Sequence, residues 1–163
     1  MNIRKAERED LDQLLEIYNY EVLNGTATFD LKPKTLEEHL KWFDAHNIGN
    51  HPLWLAEVDG MTAGYVSLSA YREKEAYHST VELSLYVSKD YRRQGVAREL
   101  LKNILAYARQ SDEIHTVVSV ITGGNEGSIK LHESFGFVYC GTIKEVGIKF
   151  GRLLDVSNYQ LIT

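Results

Sequence analysis

The sequence contains one cysteine, two prolines and no long apolar run, and each scarcity excludes a class of protein. Cys140 alone cannot form an internal disulfide or supply a cysteine-rich zinc site, so the sequence favours a reducing, cytoplasmic location. No stretch approaches the about 18 consecutive apolar residues of a membrane-spanning helix. The acidic, amphipathic N-terminus also lacks the charged-then-apolar layout of a secretion signal. We therefore expect no membrane association.

The scarcity of proline also bears on domain organisation. The chain has no internal repeat, low-complexity tract or linker rich in Gly, Pro or Ser, so nothing marks a domain boundary. Its 163 residues, 44% of them hydrophobic, suffice for one buried core. We therefore predict a single domain over residues 1–163.

Positive charge is the next scarcity, because 18 basic residues face 23 acidic ones and leave a net charge of −5. This balance argues against a protein that binds nucleic acid by neutralising its backbone. The charge is uneven, however: residues 1–50 carry a net −4, whereas residues 89–102 carry a net +3. A local basic block in an acidic protein predicts a small anionic ligand.

Hydrophobic periodicity predicts seven strands and four helices. Strands are expected at residues 2–7, 53–58, 62–70, 80–87, 116–121, 138–149 and 153–162, and helices at residues 11–24, 36–45, 95–109 and 125–135. The order β-α-α-β-β-β-α-β-α-β-β predicts an α/β domain, with helices flanking a mixed, mostly antiparallel sheet. In the second helix Leu36, Leu40 and Phe43 should share one face, and Cys140 should be a buried small side chain in an alternating strand.

The basic block contains the segment Arg92-Arg93-Gln94-Gly95-Val96-Ala97, between a predicted strand and the helix that follows it. A helix N-terminus presents unpaired N–H groups and partial positive charge, and both bind phosphate. The small residues Gly95 and Ala97 allow close approach to the backbone, and the arginines add charge-assisted hydrogen bonds. Taken alone, the segment is equally compatible with an ordinary turn carrying solvated arginines.

A second segment, Asn125-Glu-Gly-Ser-Ile-Lys-Leu-His-Glu-Ser-Phe-Gly-Phe137, follows about thirty residues later. Taken alone, it is a helix capped by Asn125 and ended by Gly136. Together the two segments resemble the acetyl-CoA-binding motifs of the GCN5-related N-acetyltransferase (GNAT) superfamily, in order and in spacing. The resemblance implies the GNAT fold, with the first segment around the pyrophosphate and the second along the pantetheine.

Over nearly the whole chain the sequence resembles the phosphinothricin / methionine sulfoximine acetyltransferase branch of that superfamily. The segments that carry this likeness are Tyr18-Asn19, Thr28-Phe29, Thr80-Val-Glu-Leu-Ser-Leu-Tyr-Val-Ser88, Leu131-His-Glu133 and Gly147-Ile-Lys-Phe-Gly-Arg-Leu-Leu-Asp-Val156. Position 132 is His where most of the superfamily has Tyr, as is common in this branch. Position 154 is Leu where many relatives have Trp, which leaves the C-terminal part of the pocket open.

The resemblance implies acetyl-CoA as cosubstrate and a set of residues that bind it. These are Leu85, Tyr86, Val87, Arg92, Arg93, Gln94, Gly95, Val96, Ala97, Arg98, Asn125, Ser128, Leu131 and His132. The remaining histidines are scattered without metal-ligand spacing, so we expect no metal ion.

Glu82 is the candidate general base. The strand at residues 80–87 alternates, which puts Glu82, Ser84 and Tyr86 on the face opposite Val81 and Leu83. The pattern alone favours a solvated carboxylate, whereas the resemblance implies a catalytic glutamate at this position. An alkyl ammonium must lose a proton before it attacks a thioester, and a carboxylate with a raised pKa can accept that proton.

The remaining catalytic roles are less specified by the sequence. Backbone N–H groups of residues 85–87 could stabilise an oxyanion if the strand diverges from its neighbour, as strands do in the family. Tyr86 or His132 could protonate the departing thiolate, although a thiol with a pKa near about 8.5 leaves readily without an acid. A single histidine on a helix is also compatible with a structural role.

Substrate recognition rests on the resemblance to the branch. It implies that Phe29, Arg72, Tyr77, Glu82 and Lys149 contact an amino-acid-like substrate, with Arg72 binding a carboxylate from a loop. The sequence therefore predicts direct acetyl transfer to the primary amine of a small amino-acid-like molecule, by a protein that pairs as a homodimer like its relatives. Two alternatives stay open: an N-acetyltransferase for a protein N-terminus, polyamine or aminoglycoside, and a non-catalytic acyl-CoA sensor.

Overall fold

The computed structural model describes all residues from Met1 to Thr163. The strands are β1 (Asn2–Lys5), β2 (Leu53–Val58), β3 (Met61–Ala70), β4 (Thr80–Val87), β5 (Thr116–Thr122), β6 (Val138–Lys149) and β7 (Arg152–Ile162), and the helices are α1 (Leu11–Asn24), α2 (Leu36–Asp44), α3 (Val96–Gln110) and α4 (Glu126–Ser134). The predicted order of strands and helices is confirmed. None of the helices combines the length and apolar character needed to cross a membrane.

The seven strands form one sheet in the order β1-β2-β3-β4-β5-β7-β6. Only β4 and β5 pair in parallel, because α3 crosses over between them, and every other neighbouring pair is antiparallel. The mixed, mostly antiparallel sheet is therefore confirmed.

Helices cover the two faces of the sheet unequally. On one face α3 buries a stripe of six residues, Val96, Leu100, Leu101, Ile104, Leu105 and Ala108, against β3, β4, β5 and β7. On the other face α1 and α2 enclose a smaller core around Leu14, Leu53, Leu55 and Tyr65. Each fully buried aliphatic side chain contributes about 1.5–3 kcal/mol, so the α3 face provides most of the hydrophobic stabilisation.

The predicted burial of Cys140 is wrong. Cys140 is exposed, because β6 is an edge strand that pairs only with β7 and much of its surface is uncovered. Leu36 is also exposed, since it lies in the first turn of α2, beyond the core. The helix instead buries His39, next to the half-buried Trp42 and Phe43.

Candidate active site

The site begins where β4 and β5 separate. Their parallel pairing ends at Glu82 and Val118, so residues 83–87 of β4 have no partner on the β5 side. A cavity of about 320 Å³ occupies this gap. We call it the catalytic cavity; its walls include Glu82–Tyr86 of β4 and Ser119–Thr122 of β5. The backbone of β4 thus borders a cavity at the position where the sequence predicts an oxyanion to be stabilised.

Glu82 lines the catalytic cavity from the last paired position of β4. The strand places it half-buried, and this burial raises the pKa of its carboxyl above the usual value because the charged form loses solvation. A raised pKa makes the carboxylate a stronger base than one in water.

His132 lies on α4, is 2% exposed, and also lines the catalytic cavity. Its Nδ1 is 2.7 Å from the carbonyl oxygen of Ser128, which can only accept, so Nδ1 carries the proton. Burial lowers the pKa of His132, which keeps the ring neutral near pH 7 and leaves Nε2 as an acceptor. The Ser119 hydroxyl, 2.8 Å away, therefore donates to Nε2. In this arrangement Nε2 of His132 has no proton to donate, and the proton of the hydrogen bond between the two residues belongs to the Ser119 hydroxyl.

Tyr86 connects the catalytic cavity to its surroundings, since it also lines two neighbouring cavities. Its ring packs edge-on against Tyr18, with centroids 5.5 Å apart, and at a tilt of 41° against Tyr65, also with centroids 5.5 Å apart. Burial raises the pKa of Tyr86, so its phenol stays protonated and remains a hydrogen-bond donor.

A larger cavity of about 1160 Å³ continues from the catalytic cavity, and the two share Ala27, Leu85, Tyr86, Asn125 and Ser128. We call it the cofactor cavity because every residue predicted to bind acetyl-CoA lines it, except Gln94 and His132. His132 lines the catalytic cavity instead, and the Gln94 side chain lies outside both, 3.3 Å from the carbonyl of Asp90.

The N-terminus of α3 opens into the cofactor cavity. Gly95 precedes the helix with φ 81°, a left-handed conformation, and no side chain caps the first turn. The free N–H groups of that turn and the positive end of the helix dipole suit an anion. Five cations also line the cavity: Arg92, Arg93, Arg98, Lys130 and Arg152. Sequence reasoning missed Lys130, because only the approach of α4 to α3 brings it to this wall.

The predicted substrate residues converge only in part, since Phe29 and Glu82 line the catalytic cavity and the others do not. Phe29 lines the catalytic cavity and packs so closely on Gly147 that a Cβ there would overlap its ring. Arg72 and Tyr77 are exposed and lie outside the cavities described above, with the Arg72 guanidinium 5.0 Å from the Tyr71 ring centroid.

Lys149, another of the predicted substrate residues, is buried. It is 2% exposed and donates from Nζ to the Thr28 carbonyl at 2.8 Å, so it anchors the loop between α1 and α2. Burial lowers the pKa of its ammonium group. Strand alternation could not reveal this contact, since it joins residues 121 positions apart.

Together the two cavities place a partly buried carboxylate, an unpaired strand edge and an anion-binding helix terminus along one continuous channel. This combination suits transfer of a group from an anionic carrier to a nucleophile that must first lose a proton.

Comparison with known proteins gives a consistent picture. The family model described as Acetyltransferase (GNAT) domain matches residues 3–157. An L-amino acid N-acyltransferase of Escherichia coli is 35% identical over 161 residues, which cover 99% of this chain and 93% of the relative. An L-methionine sulfoximine/L-methionine sulfone acetyltransferase of Pseudomonas aeruginosa is 38% identical, with 98% and 93% covered.

A solved structure shows that the similarity extends to the fold. The GNAT superfamily phosphinothricin acetyltransferase of Sinorhizobium meliloti, solved in complex with acetyl-CoA, superposes with a TM-score of 0.94 at 32% identity, covering 99% of this chain and 87% of that one. The strand order, the divergence of β4 from β5 and these similarities agree, and the chain belongs to the GNAT acetyltransferase family.

Proposed function

We propose that this protein is an N-acetyltransferase that moves the acetyl group of acetyl-CoA directly to the primary amine of a small amino-acid-like substrate. The observation that carries the proposal is the continuity of the two cavities. Glu82 lines one, the uncapped N-terminus of α3 lines the other, and the free edge of β4 borders both. The substrate amine is itself the nucleophile and no side chain has to carry the acetyl group, so transfer proceeds in a ternary complex.

Each role in the proposed reaction follows from a position in this channel. Acetyl-CoA supplies the thioester; the first turn of α3 and the surrounding arginines hold its pyrophosphate. Glu82 accepts the proton of the substrate ammonium, directly or through water. Backbone N–H groups on the free edge of β4 stabilise the negative charge that develops on the acetyl oxygen. Tyr86, still protonated, is the donor available to the departing thiolate.

The names of the relatives support an amino-acid-like acceptor, since they include an L-amino acid N-acyltransferase and enzymes for methionine sulfoximine, methionine sulfone and phosphinothricin. Phe29 at the catalytic cavity supports the same branch. The role of Arg72 in binding a carboxylate stays a prediction.

The test follows the release of free CoA thiol from acetyl-CoA across a panel of amines. The panel contains phosphinothricin, methionine sulfoximine, methionine sulfone, common amino acids, a polyamine, an aminoglycoside and a peptide with a free N-terminus. We expect turnover on the amino-acid-like members. Turnover only on the polyamine, the aminoglycoside or the peptide would assign the enzyme to a different class of acceptor. Acetyl-CoA binding without turnover on any amine would favour a non-catalytic acyl-CoA sensor.

We further propose that the protein is a cytoplasmic homodimer that binds neither nucleic acid nor membrane. Exposed apolar side chains on the β6–β7 hairpin support pairing: Val138, Tyr139, Ile143, Val146, Ile148 and Leu153. The exposed thiol of Cys140 has no disulfide partner, as in a reducing compartment. The net charge of −5 disfavours nucleic acid.

A further inference from the structure

A third cavity of about 390 Å³ lies between the sheet and helices α1 and α2. We call it the side cavity. It meets the catalytic cavity at Ser84 and Tyr86, which line both. Neither the family motifs nor the reaction described above assigns it a role.

His39 on α2 lines the side cavity and is 3% exposed. Its Nε2 is the one buried side-chain nitrogen or oxygen atom in the protein without a hydrogen-bond partner. An unpaired buried polar atom costs about 1–3 kcal/mol, so it needs an explanation. A ligand atom in the adjoining cavity would satisfy it.

Aromatic rings hold His39 in place. Its ring stacks on Trp42 with centroids 4.4 Å apart and on Tyr18 at 6.1 Å. Burial lowers the pKa of His39 to about 4, so the imidazole is neutral near pH 7 and offers Nε2 as a hydrogen-bonding group without charge.

The charged groups that line the side cavity balance one another. Two acids and two bases line it, and Lys34 lies 3.7 Å from Asp30 and 3.8 Å from Glu38. Since these charges compensate one another, the cavity does not select an ion. The hydroxyl-bearing residues Ser67 and Ser84 add hydrogen-bonding capacity to its wall.

The side cavity is within reach of a substrate bound at Glu82. Ser84 lies on the same face of β4 two residues further on, about 7 Å away along the strand. A molecule whose amine contacts Glu82 can therefore extend a short side chain past Ser84 towards His39.

We propose that the side cavity is the subsite for the acceptor's side chain, where an uncharged polar group hydrogen-bonds to Nε2 of His39. The inference rests on the proposed amino-acid acetyltransferase function and specifies which acceptors it prefers. Methionine sulfone and norleucine form a matched pair of acceptors, because their side chains have similar length and only the first carries oxygen atoms.

The test compares kcat/KM for methionine sulfone and norleucine in the wild type and in His39→Phe, which keeps an aromatic ring and removes the nitrogen. We expect the sulfone-to-norleucine ratio to fall about 10- to 100-fold, and His39→Gln to restore part of it. His115→Phe, at an exposed histidine, is the matched control and should keep the ratio. An equal loss on both acceptors in His39→Phe would overturn the proposal.

Calorimetric binding of the same two molecules separates this inference from the proposed function. A preference for sulfone that is lost in His39→Phe supports the subsite even if no acetyl transfer occurs. If His39→Phe turns over both acceptors with an unchanged sulfone-to-norleucine ratio and an unchanged binding preference, the proposed subsite is contradicted but the proposed function is not.

A second variant avoids changing the aromatic stack. Ser67→Thr keeps the hydroxyl and adds a methyl group at a wall position that is 1% exposed. We expect it to lower kcat/KM for methionine sulfone relative to alanine, which is too short to reach the cavity, without lowering the melting temperature. A constant sulfone-to-alanine ratio would contradict occupation of the cavity.

Discussion

Glu82 combines two properties that a single residue rarely has in a strand. It occupies the last position of β4 that pairs with β5, which fixes its backbone, and its side chain faces a cavity. Partial burial raises its pKa without a neighbouring acid, so desolvation is the sole cause of the shift. The carboxylate is therefore rigidly placed and more basic than usual.

Replacing Glu82 with Gln should lower kcat by about 10²–10⁴-fold, because the substrate ammonium loses its proton acceptor. In the wild type kcat/KM should rise with pH through a midpoint above the ordinary glutamate value of 4.5, since the ionised form is the active one. The variant should lose that rise. Steady-state kinetics from pH 4.5 to 8 measure both effects.

Glu113→Gln, at an exposed loop position, is the control and should match the wild type in rate and in pH profile. A folded Glu82→Gln protein with unchanged kcat would rule out the role of base.

At the scale of elements, the junction between β4 and α3 brings the reacting parts together. The strand ends at Val87, the helix begins at Val96, and Gly95 between them adopts φ 81°. A Cβ at Gly95 would meet no atom within 4 Å, so backbone conformation and not space requires glycine there. A residue in this conformation other than glycine costs roughly 1–2 kcal/mol.

Gly95→Ala should therefore strain the turn and misalign the N–H groups of α3, raising KM for acetyl-CoA about tenfold or more with a lower melting temperature. Gly60→Ala is a matched control, since Gly60 has φ 78°, equally open surroundings and a place in the β2–β3 turn. It should lower the melting temperature similarly and leave KM unchanged. Equal KM values for acetyl-CoA in the two variants would show that the N-terminus of α3 does not contribute to cofactor binding.

At the scale of the whole molecule, charge and apolar surface are both segregated. The acids concentrate in residues 1–50, whereas cations surround the cofactor cavity. Exposed apolar side chains concentrate on the edge hairpin β6–β7, where an unpaired strand edge would otherwise invite nonspecific association. A second copy of the chain would cover this surface.

Ile148 is 66% exposed on β6, so Ile148→Glu should place a charge in the proposed dimer interface and shift the protein from about 37 kDa to about 19 kDa in light scattering. Met61→Glu, at another exposed apolar side chain on β3, should remain dimeric. A monomeric wild type would contradict the homodimer.

Local patterns in the sequence predicted most of the fold. Alternation and helical periodicity act over a few residues, and the structure has the strands and helices that they predict, in the predicted order. Most of the residues predicted to bind acetyl-CoA lie in two contiguous segments, and the fold brings these segments to one cavity.

The remaining features depend on contacts between distant parts of the chain. Alternation marked Glu82 but not Ser119, and the end of β4–β5 pairing creates the cavity that both residues line. The carbonyl of Ser128 sets the protonation of His132, and the carbonyl of Thr28 accepts a hydrogen bond from Lys149, so both contacts join side chains to partners that the sequence motifs do not reveal. Periodicity indicates which face of an element a residue occupies, whereas its hydrogen-bond partner in another element depends on tertiary packing. In the packed structure His39 lines the side cavity and its Nε2 has no hydrogen-bond partner.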